Sequence, residues 1–219
     1  MPPAPPPRGV DTRQRVATIG TVVAGAVVLA LMLRFDPGSV GFYVCTVALA
    51  AVWAAGAFLA GPVHLGRTGR APGRRPLLVP FAIGLGLIAL FVVGGLVVRE
   101  VPFLEPLDQA VRHVVAYTGD GVAPGLVVVT AVAGICEELF FRGALYDAIH
   151  RHPVVVTTAV YVVATAATGN IMLAFAAALL GLVTGLQRRA TGGVLAGCIT
   201  HITWSIGMLF ILPMLFPAA

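Results

Sequence analysis

The chain has 219 residues, 58% of them hydrophobic and only 11% charged, and its mean hydropathy is +0.97. Soluble domains carry about 25% charged residues, so this composition excludes an ordinary soluble enzyme and indicates a single integral membrane domain. The net charge of +5 rests on arginine alone, with no lysine in the chain; these arginines fall in short loops between apolar runs, where they read as topology signals and headgroup contacts, not as a nucleic-acid surface.

In chain order, residues 1–15 combine Pro2, Pro3, Pro5, Pro6 and Pro7 with Arg8, Arg13 and Arg15. Such a segment cannot build a core and is expected to be a disordered cytoplasmic tail, leading into an uncleaved signal anchor. Apolar runs then predict spans over Val16–Leu33, Val40–Ala60 and Leu77–Val98, with a basic loop over 61–75. Residues 99–121 are polar but repeat Leu107, Val111, Val114 and Val115 at helical spacing, which predicts an amphipathic helix at the membrane surface. A fourth span covers Ala123–Phe141 and continues as helix towards His150; further spans cover Val154–Thr168, Ile171–Leu186 and Val194–Leu212. The expected fold is all-α: a polytopic transmembrane helix bundle of about seven spans plus the surface helix. It divides into 1–15, 16–122, 123–212 and a tail at 213–219. Most of the arginines then fall on one side, which the positive-inside rule makes cytoplasmic together with the N-terminus.

The fourth span carries the chemistry. Glu137, Glu138 and Arg142 lie within six positions of an otherwise apolar segment, where each charge costs about 2.5–3.5 kcal/mol to insert. Glu138 and Arg142 are at i and i+4, the favoured order for a helical ion pair, which leaves Glu137 to be explained. Successive residues point about 100° apart, so one glutamate can face a cavity while the other meets Arg142. A carboxylate in a pocket shielded from bulk water is a usable general base. His201 is the histidine inside an apolar span, with Ser205 on its face four residues on; Tyr161 and Thr165 are spaced likewise in the fifth span. Either pair can donate hydrogen bonds into the same pocket, although a helical threonine usually bonds its own backbone. Cys45, Cys136 and Cys198 show no paired spacing and read as small hydrophobes.

Glu137-Glu138-Leu139-Phe140-Phe141-Arg142-Gly143 resembles the first motif of the CPBP intramembrane proteases, the CAAX-protease and bacteriocin-processing (Abi) group that includes the type II CAAX prenyl endopeptidases. The run Gly181 to Gly193 and the pair Thr200-His201 resemble later parts of the pattern, so the resemblance spans about Leu126 to Ser205. It makes 123–212 the catalytic core of an intramembrane endopeptidase. It implies Glu137 as the base, Glu138 and Arg142 as its support, and His201 as the remaining family histidine. The family's Phe-x-x-x-His reads here as Tyr161 to Thr165, and its His-x-x-x-Asn as His201 to Ser205. Tyr161, Thr165, Trp204 and Ser205 are accordingly expected on the substrate side.

No metal ligand set is read from the residues; zinc enters as a cofactor only through the resemblance. The expected partners are a membrane-associated peptide or protein substrate and the lipid bilayer, without nucleic acid, and the expected location is a bacterial plasma membrane. Two other readings stand beside the protease: a catalytically inactive relative that binds a partner as scaffold or chaperone, and a small proton-linked carrier.

Overall fold

The computed structural model describes residues 12–32, 34–36, 39–67, 77–116, 122 and 124–217. These form α1 (Thr12–Met32), α2 (Val40–Ala60), α3 (Leu78–Glu100), a 3-10 turn at Pro102–Leu104, α4 (Glu105–Val115), α5 (Pro124–Glu138), a π-helical turn at Leu139–Ala144, α6 (Leu145–Ala148), α7 (Pro153–Ala166), α8 (Ile171–Thr191) and α9 (Leu195–Leu215). No strand occurs among the described residues. Among the described residues, six helical stretches are long and apolar enough to cross a membrane, with α5, the π turn and α6 forming one of them. The chain is an integral membrane protein.

Several boundaries differ from the sequence expectation. Residues 12–15, assigned to the tail, are the first turn of α1, because Thr12 to Arg15 continue the helix without a breaker; the proline-rich part before them lies outside the described residues, as do 68–76 of the basic loop. The fifth span is a 14-residue apolar helix, about 21 Å long, short of the roughly 30 Å of a bilayer core. Pro213 to Leu215, assigned to the terminal tail, extend α9. The fourth span is not a continuous α-helix: the Leu145 amide bonds the Phe140 carbonyl, five residues back, in the pattern of a π turn.

That turn is the hub of the bundle. Phe140, Phe141, Arg142, Gly143, Ala144 and Leu145 are all buried in succession, so protein surrounds the helix on every side. Trp53 of α2 stacks on Phe140 at 5.0 Å and packs against Phe141 at the same separation, and Tyr161 of α7 meets Phe141 at 4.7 Å. Trp53 in turn lies on Gly25 of α1, where a methyl group would collide with its ring.

The two ends of the bundle are tied differently. At one end the extended segment 61–67 is strapped over the start of α9. The His64 and Leu65 carbonyls accept from the Val194 and Leu195 amides at 2.9 and 3.2 Å, and the Arg67 amide donates to the Thr191 carbonyl at 2.8 Å. A helix start needs acceptors for its free amides; α9 has no capping side chain, so the strap supplies them. Gly66 (φ 82°) and Gly193 cross backbone to backbone there, and no side chain fits between them. At the other end Arg99 and Arg112 donate to the Leu215 and Pro217 carbonyls at 2.6 and 2.9 Å. The amphipathic helix α4 lies at this end, where the Asn170 amide donates to its Ala110 carbonyl at 2.8 Å. Asn170 also caps α8, its side-chain oxygen accepting from the Met172 and Leu173 amides.

Removing the ring at the hub opens a large cavity. Trp53→Ala is expected to destabilise the protein by about 3–5 kcal/mol, read as a lowered midpoint of thermal unfolding in detergent.

Candidate active site

Glu137 and Glu138 end α5 and point to different places. The Glu138 carboxylate is fully buried. Its Oε1 lies 3.2 Å from the Arg142 guanidinium and 3.1 Å from Nδ1 of His201. Arg142 is equally buried and rests on the Tyr161 ring at 4.8 Å, a cation–π contact. A carboxylate beside a guanidinium only accepts, so His201 Nδ1 donates to it and Nε2 faces the other side.

That other side is a cavity of about 280 Å³. Glu137, Tyr161, Thr165, His201, Trp204 and Ser205 line it, together with Thr130, Gly134 and Thr168. His201 Nε2 lies 4.0 Å from Glu137 Oε2, too far for a direct hydrogen bond and close enough for one water to touch both. The Tyr161 hydroxyl donates to Glu137 Oε2 at 2.5 Å. One carboxylate is thus locked to arginine and histidine, and the other faces the cavity.

Hydroxyls supply the rest of the polar lining. Thr18, Thr21, Thr46 and Thr203 each donate to the carbonyl four residues back in their own helices. The side-chain hydroxyls of Thr130, Thr165 and Ser205 make no such bond, nor any other hydrogen bond among the described residues. Their hydroxyls are free to serve whatever enters. Thr130 escaped the sequence reading, although it stands seven residues before Glu137, two turns down the same face. Trp204 lines the cavity with its ring, which packs edge-on against Phe91 at 5.0 Å.

Glycines make room for the charged groups. A Cβ on Gly197 would stand 2.6 Å from Glu138 Oε2, one on Gly181 3.0 Å from the Arg142 guanidinium, and one on Gly134 3.3 Å from the His201 ring.

A zinc ion does not suit this donor set. Glu138 is engaged with Arg142 and His201 Nδ1, which leaves Glu137 and His201 Nε2 where a catalytic zinc takes about three protein ligands. Among the described residues no group of three or more His, Cys, Asp or Glu side chains is placed to hold a metal ion.

Gly197→Ala is expected to push the Glu138 carboxylate off His201 and to cost about 1–3 kcal/mol, as overpacking does; Gly134→Ala, with the looser contact, is expected to cost less. Thermal melting of the two variants side by side checks the order.

Residues 120–207 match the sequence model of the family described as type II CAAX prenyl endopeptidase Rce1-like. No curated protein and no solved structure was found to match the chain. The matched stretch takes in α5, the π turn, α6, α7, α8 and the part of α9 that carries His201 and Ser205, and over that stretch the chain is similar to the Rce1-like CAAX endopeptidase family.

Proposed function

We propose that this protein is an intramembrane endopeptidase that hydrolyses a peptide bond with a water activated by Glu137. The observation that carries the reading is the 4.0 Å gap between Glu137 Oε2 and His201 Nε2 at the wall of the cavity. A water held there donates one hydrogen to the carboxylate and the other to the imidazole nitrogen, which turns its lone pair towards an incoming carbonyl carbon.

In the first step the water oxygen bonds to that carbon and its proton passes to Glu137. The carbonyl oxygen becomes an oxyanion, and the unbonded hydroxyls of Thr165, Ser205 and Thr130 are its available donors. The C–N bond then breaks as Glu137 returns the proton to the leaving nitrogen, giving a carboxylic acid and an amine. Glu138 and Arg142 take no part in the bond changes. They hold the His201 tautomer, as a second carboxylate does for a catalytic histidine. No step passes through a metal.

The substrate is a membrane-associated peptide or protein, cut near one face of the bilayer. Glu137 lies eleven residues before the end of α6, about 16 Å along the helix. That end shares a cavity with Gln14, His64 and Arg188, on the side whose loops hold most of the arginines. The positive-inside rule makes that side cytoplasmic, and a bacterial plasma membrane is the setting we assign.

The test is cleavage of a fluorogenic quenched-peptide library by the purified protein in proteoliposomes. Glu137→Gln is expected to lower turnover by about 10²–10⁴-fold with unchanged melting, Thr165→Val by a smaller factor, and a zinc chelator to have no effect. Glu137→Gln that leaves a cellular phenotype intact, with no peptide cleaved by the parent protein, would overturn the proposal in favour of a partner-binding scaffold.

A further inference from the structure

The π turn needs an explanation that its own sequence does not contain. Such turns are rare, yet this one immediately follows the two glutamates and carries Arg142. A side chain from another helix grips it. Arg188 of α8 reaches in from 46 residues away, and its Nε donates to the Arg142 carbonyl at 2.7 Å in a buried bond. The same guanidinium donates through its other edge to Asp147 Oδ1 at 2.6 Å and lies over the Tyr146 ring at 5.1 Å. All three contacts fall on Arg142–Asp147, directly after Glu138. Arg188 is only 8% exposed, so water and salt screen it little.

We infer that Arg188 is a positioning residue for the glutamate pair: its planar fork fixes the π turn from behind, and so sets where Arg142, and through it Glu138 and His201, are held. The inference rests on the proposed hydrolytic role only for its consequence in turnover; the geometry it concerns exists without any reaction. A fork that spans a backbone carbonyl and a carboxylate is a property of arginine. Lysine is a single point charge that cannot reproduce both bonds in one plane. His64 of the strap lies 3.7 Å from the other Asp147 oxygen.

The experiment is selective ¹⁵N-histidine NMR of the full-length protein in detergent micelles, with the His201 resonances assigned by their loss in His201→Gln. The parent is expected to show one tautomer, protonated at Nδ1. Arg188→Gln is expected to give mixed or exchanging His201 tautomers, and Arg188→Lys to change in the same direction. Asp147→Asn, which loosens only the outer edge of the fork, is expected to give a smaller change and serves where Arg188→Gln does not fold. In the peptide assay the Arg188 variants are expected to lose about 10–100-fold in kcat, the range seen when groups that orient a site are removed, with KM little changed. Folded Arg188 variants with the parent His201 spectrum would overturn the inference and leave Arg188 a structural ion pair. Altered His201 tautomers with no cleavage by any form would uphold it and count against the hydrolytic reading instead.

Discussion

The ion pair between Glu138 and Arg142, with neither partner exposed to solvent, is the constraint around which the bundle is arranged. Removing two charges from water costs several kcal/mol per ion, and mutual attraction alone often fails to recover it. In a bilayer the alternatives are worse. The surroundings therefore have to finish the job: His201 Nδ1 donates to the same carboxylate oxygen, and the guanidinium lies on the Tyr161 ring. Aromatic rings close the opposite side of the turn, with Trp53 against Phe140 and Phe141. Three helices contribute a glycine where a side chain would otherwise strike His201, Glu138 or Arg142. Close packing of this kind is what holds membrane helices together where no hydrophobic effect drives them.

The pair also divides the labour between adjacent residues. Because Glu138 is immobilised, Glu137 is not drawn into the same network. It meets the protein through the Tyr161 hydroxyl and otherwise faces the cavity. Tyr161 joins both networks, its ring beneath Arg142 and its hydroxyl on Glu137. Fixed points outside the membrane core then preserve the geometry. The strap at 61–67 sets the start of α9, and Arg99 and Arg112 hold its end, so His201 lies on a helix tied down at both ends.

Much of this was legible in the sequence, for physical reasons. Long apolar runs can only be helices in lipid, so most spans were visible, with errors of a few residues at the ends of α1, α8 and α9 and a fifth span shorter than a bilayer core. The i, i+4 spacing announced the Glu138–Arg142 pair, and the lone intramembrane histidine announced His201. The π turn was not visible, since Leu139–Ala144 would suit an α-helix equally well and its form depends on surrounding contacts. Arg188 was equally hidden: beside Arg189, just past the expected end of the sixth span at Leu186, it reads as a topology signal until the fold shows it within α8 and buried on the Arg142 carbonyl. Thr130 was in principle recoverable from its seven-residue spacing to Glu137. Its lack of a backbone hydrogen bond, which distinguishes it from Thr18 or Thr46, was not.

The hydroxyl lining bears on how the resemblance should be read. Where the family pattern has histidine and asparagine, this chain has Thr165 and Ser205, and both line the cavity with hydroxyls that make no hydrogen bond among the described residues. Helical threonine ordinarily satisfies itself on its own backbone, as Thr18, Thr21, Thr46 and Thr203 do here. An unbonded hydroxyl on a cavity wall is able to bond to a polar group that enters. Hydroxyls both donate and accept, so Thr130, Thr165 and Ser205 match the alternating carbonyls and amides of a peptide backbone better than they match a metal. With Glu138 held by Arg142 and His201, hydrogen bonding is what the remaining groups on the cavity wall offer. A single carboxylate, a single imidazole nitrogen and a wall of free hydroxyls are the means by which it can bind and orient a polar chain inside a membrane.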